Sequence, residues 1–336
     1  MAGAASPPLR VGLIGLGRPG LYLMERGAIG APFQVVAMYA DPSTADLVSP
    51  FGVRLVSQPQ QLLDAADVDV VWIAALEGHR SDISIAKVLT QKHVIMETPL
   101  LLTTAVLDQA FEISGRLGRM LLVHHPRRSD RDFRQALSIT EDQTFGRIQA
   151  AKFVSWSYGH PPRGVTRGVG PLPPDANDEV QATKMRFVAH ALDQLVSLIN
   201  DQPRCVVATS DPSTLDAVDL HSGQSLSLRI TFEQGCHAEI DIRLDSPTQF
   251  QSGWLLTAER GGYANGRRFT LTDEGEVFDS PMTELGHGQE ADQFDWLAQQ
   301  IQTGQPDPAE ELRLRSVAAL LHAAQRSLES RQVITL

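Results

Sequence analysis

The chain has 336 residues, 42% of them hydrophobic and 21% charged, and a formal net charge of −11. That length suits two domains with substantial cores, and the acidic balance without a strong basic run argues against nucleic acid or an anionic membrane surface as a partner. Cys205 and Cys236 are the only cysteines, too few for a disulfide framework or a four-cysteine metal site. No apolar run approaches the roughly twenty residues of a membrane span. Met1 to Arg10 lacks the basic and apolar regions of a secretory signal, so the expected location is the cytoplasm.

The first predicted element is a short apolar strand, Val11-Gly12-Leu13-Ile14, running into Gly15-x-Gly17-x-x-Gly20 and then a helix. Strand, glycines and helix in that order form the dinucleotide-binding fingerprint. The first glycine allows the tight turn, the second lets the backbone approach a pyrophosphate, and the third lets helix and strand pack closely. Arg18 and Pro19 open the helix, and proline is tolerated there because the first-turn N–H has no intrahelical partner. A second strand, Phe33 to Ala40, ends at Asp41, twenty-one residues after Gly20. That is close to where an acid meets the adenosine ribose hydroxyls; Asp41-Pro42-Ser43 also reads as a turn that starts a helix.

A short strand near Val53–Val56 and a helix around Pro59 to Ala65 follow. The nearly continuous apolar run from Val68 to Ala75 predicts a strand buried on both faces. A helix from about Ser81 to Thr90, a strand at His93–Met96, a helix from about Thr104 to Leu117 capped by Thr103, and a strand at Arg119–Val123 complete the set. Six strands with such crossovers predict a Rossmann-type, doubly wound parallel sheet over residues 1–123. The ligand crevice of such a sheet lies beyond the strand C-terminal ends. Gly15, Gly17, Arg18, Gly20, Asp41, Ala75, Glu97 and Thr98 are therefore the expected nucleotide-side residues.

Residues 124–336 read differently. After a helix near Arg131 to Ile139, strands come largely without intervening helices. Ile148 to Tyr158 is the first; Leu226 to Phe232 and Ala238 to Leu244 alternate apolar with polar residues; Trp254–Ala258, Arg268–Leu271 and Glu276–Phe278 follow. This predicts a mainly antiparallel open sheet with one polar or partner-covered face. The Gly/Pro-rich stretch His160 to Ala176 is an insertion of the length usually tied to function. One helix, about Asp178 to Ile199, interrupts the strands. Two more, with apolar stripes Phe294/Leu297/Ile301 and Leu314/Val317/Leu321/Ala324/Leu328, lie near the end.

Taken together, Gly15-x-Gly17-x-x-Gly20, Asp41, the Val68–Ala74 run, Lys92 through Glu97-Thr98-Pro99-Leu100, Arg127-Arg128, Gly146-Arg147-Ile148, His190-x-x-Asp193 and the terminal pattern to Leu336 resemble the Gfo/Idh/MocA (glucose–fructose oxidoreductase/inositol dehydrogenase) family. The resemblance spans almost the whole chain. It implies a nicotinamide cofactor, oxidation of a sugar or polyol carbinol or a related hydride transfer, a small-molecule substrate, and a homodimer or homotetramer built on the open face of the second sheet. The chain departs from the family pattern at several points. Thr98 stands where the family has the lysine of Glu-Lys-Pro, Arg186 where an aspartate precedes the helix histidine by four residues, Val188 where a glycine is usual, and Ala75-Leu76 where Thr-Pro is frequent.

His190 is the candidate acid/base, because histidine titrates near physiological pH. Arg186 lies on the same helical face and has the planar guanidinium suited to a carboxylate or phosphate. Asp193, one turn on, reads as a ring-orienting or packing residue. Adjacent strand residues point to opposite faces, which argues against His124 and His125 sharing a metal. With no basic residue following it, Asp41 favours NAD over NADP. The reading is an NAD(P)-dependent oxidoreductase for a carbohydrate-like, polyol or acidic substrate. The alternatives are a catalytically degenerate nucleotide-binding, regulatory or partner subunit, and lyase or glycoside-cleaving chemistry using bound NAD without net redox change.

Overall fold

The computed structural model describes residues 7–16, 18–27, 32–74, 84–98, 102–158, 177–210, 225–243, 245–282 and 290–336. Contacts divide the chain into two compact units, Met1–His125 with Gln289–Pro308, and Pro126–Gly288 with Ala309–Leu336.

In the first unit, strands β1 (Leu9–Ile14), β2 (Phe33–Tyr39), β3 (Arg54–Val56), β4 (Val70–Ile73), β5 (His93–Glu97) and β6 (Leu121–His124) alternate with helices α1 (Arg18–Gly27), α2 (Ala45–Val48), α3 (Gln60–Asp64), α4 (Ile85–Leu89) and α5 (Thr104–Leu117). Among the described residues the strands form one parallel sheet in the order β3-β2-β1-β4-β5-β6, the doubly wound arrangement expected from the strand–helix alternation. Every residue of β4 is buried, as a strand covered on both faces must be. Thr103 caps α5 by accepting from the Val106 N–H, as predicted. The helix predicted from about Ser81 begins only at Ile85, because Ser84 is extended at its N-cap; residues 81–83 lie outside the described ones.

The stripe Phe294/Leu297/Ile301 lies on a helix, Glu290–Thr303, that closes the core of this unit rather than the second. Phe294 stacks on Tyr22 at 5.3 Å and on His124 at 4.9 Å, with Trp72 at 5.6 Å. The division of the chain is therefore not a single cut after residue 123, because this aromatic packing returns a late helix to the nucleotide-type unit.

The second unit contains α6 (Arg131–Glu141), β7 (Ile148–Tyr158), α7 (Asn177–Leu198), β8 (Pro203–Thr209), β9 (Ser225–Phe232), β10 (His237–Arg243), β11 (Asp245–Ala258), β12 (Gly261–Ala264), β13 (Arg267–Leu271), β14 (Val277–Pro281), a long helix Pro308–Ser330 and β15 (Ile334–Thr335). Among the described residues its sheet runs β14-β13-β12-β11-β7-β10-β9-β8-β15. It is antiparallel except between β10 and β7. One face, with Ala151, Phe153, Leu228, Ile240 and Trp254, is buried with Leu192, Leu195 and Leu320 in a single core. Asp132 of α6 ties the helix to that sheet, accepting from the Trp254 N–H and the Tyr263 hydroxyl at 2.6 Å each. Burial holds the Asp132 carboxyl above the usual carboxylate range, against the pull of those two donors.

Two strands went unpredicted. β8 opens on a proline. β12 opens on Gly261-Gly262, where alternation is invisible. A Cβ on Gly262 would stand 2.1 Å from the Leu256 carbonyl oxygen, and one on Gly261 2.0 Å from that of Phe269. The hairpin needs glycine there because backbone passes against backbone.

At the N-terminal edge of the parallel sheet, polar staples close the fold away from the strand ends of interest. Arg10 grips Asp69 through Nε at 2.9 Å and Nη2 at 2.7 Å, and Lys92 Nζ donates to the carbonyls of Ala65 and Val68. His93 Nδ1 accepts from the Met120 N–H at 3.1 Å. Burial, helped by the Arg119 cation, pushes the His93 imidazole down to about 4. The imidazole is thus neutral in the fold but protonates in the unfolded chain below its ordinary 6.5. Stability is fully present above that value and is lost as pH falls toward about 4. His93→Asn, which does not titrate, should remove up to about 3 kcal/mol of that acid-side loss. Urea unfolding at a series of pH values checks this; parallel curves for the two proteins would refute it.

Candidate functional site

The glycine loop is built from two local constraints. Gly15 has φ 79°, a left-handed conformation that side chains with a Cβ adopt only under strain, and its N–H donates to the Tyr39 carbonyl. Gly20 sits on β1 so closely that a Cβ would lie 2.6 Å from Leu13 Cδ2. Leu13 is fully buried and cannot yield cheaply. Helix α1 therefore begins directly beyond β1, and its first turn carries no acid. The N–H groups and positive dipole end of such a helix start suit an anion. Gly17 lies outside the described residues, as do Ala75 and the loop after it, Pro99 and the 160–176 insertion; for Arg18 only the backbone is described.

Asp41 is exposed at the end of β2, the neighbour of β1. Its Oδ1 accepts from the Ser43 N–H at 2.8 Å, and its carbonyl accepts from the Thr44 hydroxyl. Asp41 caps the turn at Pro42–Thr44 while standing at the strand end where ribose hydroxyls are met. The turn-cap reading is the one these hydrogen bonds show.

The end of β5 is more constrained than the sequence suggested. Glu97 is 3% exposed. Its Oε1 accepts from Trp72 Nε1 at 2.7 Å, and His124 Nδ1 lies 2.9 and 3.0 Å from the two carboxylate oxygens. The side chain thus ties together the ends of β4, β5 and β6 inside the first unit. The pairing is invisible in the sequence because Glu97 and His124 are 27 residues apart; the sheet register places them side by side. Next to Glu97, Thr98 Oγ1 is buried with no hydrogen-bond partner among the described residues. An unsatisfied buried hydroxyl costs about 1–3 kcal/mol, which a bound polar group would offset.

The other two candidates lie on α7 in the second unit. His190 is half-buried, and the Arg186 side chain lies outside the description. Asp193, one turn after His190, is buried and engaged bidentately by Arg128, Nε to Oδ2 at 2.9 Å and Nη2 to Oδ1 at 2.6 Å. Its role is therefore to hold the helix. Sequence reasoning passed over Arg128 and His124 as site-supporting residues. Each is recognisable only through partners far along the chain. No cluster of three or more metal-ligating side chains occurs among the described residues, and no helix among them is long and apolar enough to cross a membrane.

The first unit brings Gly15, Gly20, Asp41 and Thr98 to the C-terminal edge of one parallel sheet, where such sheets bind ligands. The strained glycine, the Cβ-free contact, the acid-free helix start and the orphaned Thr98 hydroxyl fit a dinucleotide.

Comparison with known proteins agrees. Residues 9–125 match the model of the Gfo/Idh/MocA oxidoreductase family, described as an NAD-binding Rossmann fold. Over 165 residues the chain is 27% identical to a myo-inositol 2-dehydrogenase of Thermotoga maritima, covering 48% of this chain and 49% of that protein. The match thus spans about half the length of that curated relative. Solved structures share the fold over nearly the full length. An NAD-binding protein from Listeria innocua superposes with TM-score 0.73 at 19% identity, covering 98% of this chain and 97% of the other. A myo-inositol 2-dehydrogenase from Lactobacillus plantarum gives 0.72 at 15% identity, covering 98% and 100%.

Gly15→Ala should strain the loop by about 1–2 kcal/mol, and Gly20→Ala should push α1 off β1. Each is expected to weaken NADH binding about tenfold or more, one such factor being about 1.4 kcal/mol. A fluorescence titration with NADH reads this directly, and parental affinity in both variants would disprove the cradle.

Proposed function

We propose that this chain, whose residues 9–125 match the NAD-binding Rossmann model of the Gfo/Idh/MocA oxidoreductase family, is a nicotinamide-dependent oxidoreductase acting on a polyol, sugar or related acidic substrate. The observation that carries this reading is the cradle formed by Gly15 at positive φ and Gly20 against Leu13, at the start of a helix whose first turn carries no acid. The inositol dehydrogenases among its relatives support the substrate class.

A bound nicotinamide dinucleotide supplies the hydride chemistry; the protein supplies binding, orientation and proton handling. Gly15, Gly17, Arg18 and Gly20 would hold the pyrophosphate on the start of α1. Asp41 would accept from the ribose hydroxyls, which favours NAD over NADP because a 2′-phosphate there would meet a carboxylate. Ala75 and Glu97 would shape the wall of the crevice, and the Thr98 hydroxyl would hydrogen-bond the bound nucleotide or substrate. His190 would take the substrate hydroxyl proton on oxidation and return it on reduction. Arg186 would hold an anionic or hydroxyl-rich part of the substrate. A second reading, a nucleotide-binding subunit without turnover, is supported by the resemblance of Glu97-Thr98-Pro99 to a Glu-Lys-Pro pattern with threonine in the lysine's place, since a threonine hydroxyl is a poor acid or base near neutral pH.

Titrations with NADH and NADPH, followed by an absorbance screen of inositols, hexoses and sugar acids with NAD and NADP, separate the readings. The expected result is tighter binding of NADH than NADPH, turnover with at least one substrate, and a loss of roughly 10²–10⁴-fold in kcat in His190→Ala. Binding without turnover across the screen would favour the silent subunit, and absence of nucleotide binding would sink both readings.

Assembly as a homodimer or homotetramer through the second unit's sheet belongs to the same proposal. The face turned away from that unit's helices carries a shallow hollow of about 570 Å³ lined by Lys152, Arg229, Glu239 and Leu255 among others, with Lys152 and Glu239 paired at 3.2 Å. Light scattering after size exclusion should give two or four times the chain mass, and Leu255→Arg should lower it. A monomeric parent would refute the assembly.

A further inference from the structure

The chain enters the second unit at residue 126 and again at residue 309. Arg128 lies just inside the first entry and Glu310 just inside the second. The two are joined directly, Arg128 Nη1 to Glu310 Oε2 at 2.8 Å and Nη2 to Oε1 at 3.0 Å. The same guanidinium grips Asp193 on α7 through Nε and Nη2. Arg313 adds a further donor to Glu310 at 3.1 Å. Asp193 and Glu310 are 3% and 4% exposed, so each needs a cation, and two guanidiniums balance two carboxylates. Burial alone would pull the Arg128 pKa down, but the two carboxylates outweigh it and hold Arg128 firmly charged.

The next residue of α7 repeats the pattern with neutral groups. Gln194 Nε2 donates to the Arg127 carbonyl at 2.6 Å, while its Oε1 accepts from Trp254 Nε1 at 2.8 Å. The turn of α7 after His190 is thus bound to the entry segment by two consecutive side chains, one ionic and one neutral. Buried ion pairs are weak sources of net stability. What a planar fork spanning two carboxylates supplies is geometry.

We propose that Arg128 is a positioning residue for His190: by spanning Asp193 and Glu310 it locks the turn of α7 that follows His190 to both points where the chain enters the second unit. This rests on the reading of His190 as the proton-handling group, but its test does not need turnover.

The test uses the full-length protein labelled at histidine ring carbons, with His190→Asn assigning the His190 resonance, alongside hydrogen exchange by mass spectrometry. Arg128→Met is expected to displace or broaden the His190 signal and to raise exchange in peptides covering 188–196 about tenfold. NADH affinity should stay within about twofold of the parent, since the glycine cradle lies in the other unit; a twofold change is below half a kcal/mol. Arg128→Lys keeps the charge but cannot fork across two carboxylates, so it should give a smaller displacement of the same kind. It also decides the matter if Arg128→Met does not fold. An unmoved His190 signal in a folded Arg128 variant overturns the proposal, whether α7 exchange is unchanged or rises uniformly across the unit. If instead His190→Ala turns over normally, the catalytic reading of His190 fails while the spectroscopic result on Arg128 stands.

Discussion

The nucleotide side of this protein depends on one close approach, that of helix α1 to strand β1 at Gly20. Leu13 is fully buried in the core beneath it, so the space a Cβ would need is already occupied. That contact allows a helix to start within four residues of the strand's last one, Ile14. The turn between them then has to reverse quickly, and Gly15 does so at positive φ. Because β1 is flanked by β2 and β4, the same placement sets Asp41 and Ala74 on either side of the loop, with the Ala74 N–H donating to the Ile14 carbonyl. A helix start, an acid and a strand end thus converge because two residues lack side chains.

Buried carboxylates show how the two units solve a shared problem in different ways. Glu97 is satisfied by the Trp72 N–H and the His124 imidazole, within a ring stack that includes Phe294. Asp193 and Glu310 share one guanidinium. Asp132 accepts from two neutral donors, and burial holds its carboxyl above the usual range. Removing a donor from any of these leaves an uncompensated buried group, a costlier event than exchanging both partners for apolar ones. Each carboxylate therefore fixes a particular geometry: the strand ends beside Thr98, the turn after His190, and the seat of α6 on its sheet.

Legibility in the sequence followed the distance between the residues involved. The Val68–Ala75 run contains the fully buried β4, and the alternation from Leu226 to Phe232 became β9, because burial on two faces or one leaves a local pattern. The glycine loop was readable for the same reason: its constraints lie between Leu13 and Gly20. β12 was not, since its two glycines carry no alternation and only Tyr263 marks its buried face. The Phe294 stripe was readable as a helix but not as part of the first unit, because its partners Tyr22, Trp72 and His124 lie far away along the chain. Arg128 and Glu310, 182 residues apart, are beyond any local pattern. Asp41 shows a different limit: turn cap and ribose acceptor need the same residue at the same place, so its spacing does not separate them.

Thr98, standing where the resemblance leads one to expect a lysine, would narrow the chemistry that the proposed function permits. Oxidising a carbinol requires that its hydroxyl proton leave, and a threonine hydroxyl does not accept it near neutral pH. What Thr98 offers is a buried hydroxyl without a partner among the described residues, able to orient a carbonyl or hydroxyl oxygen but not to carry charge beside it. Under the proposed function the proton would fall to His190 and a substrate anion to Arg186, both on α7, and the orientation of that helix would then matter more than with a lysine sharing the work. The forked grip of Arg128 on Asp193, one turn from His190, would meet that demand, and a flexible lysine in its place would not.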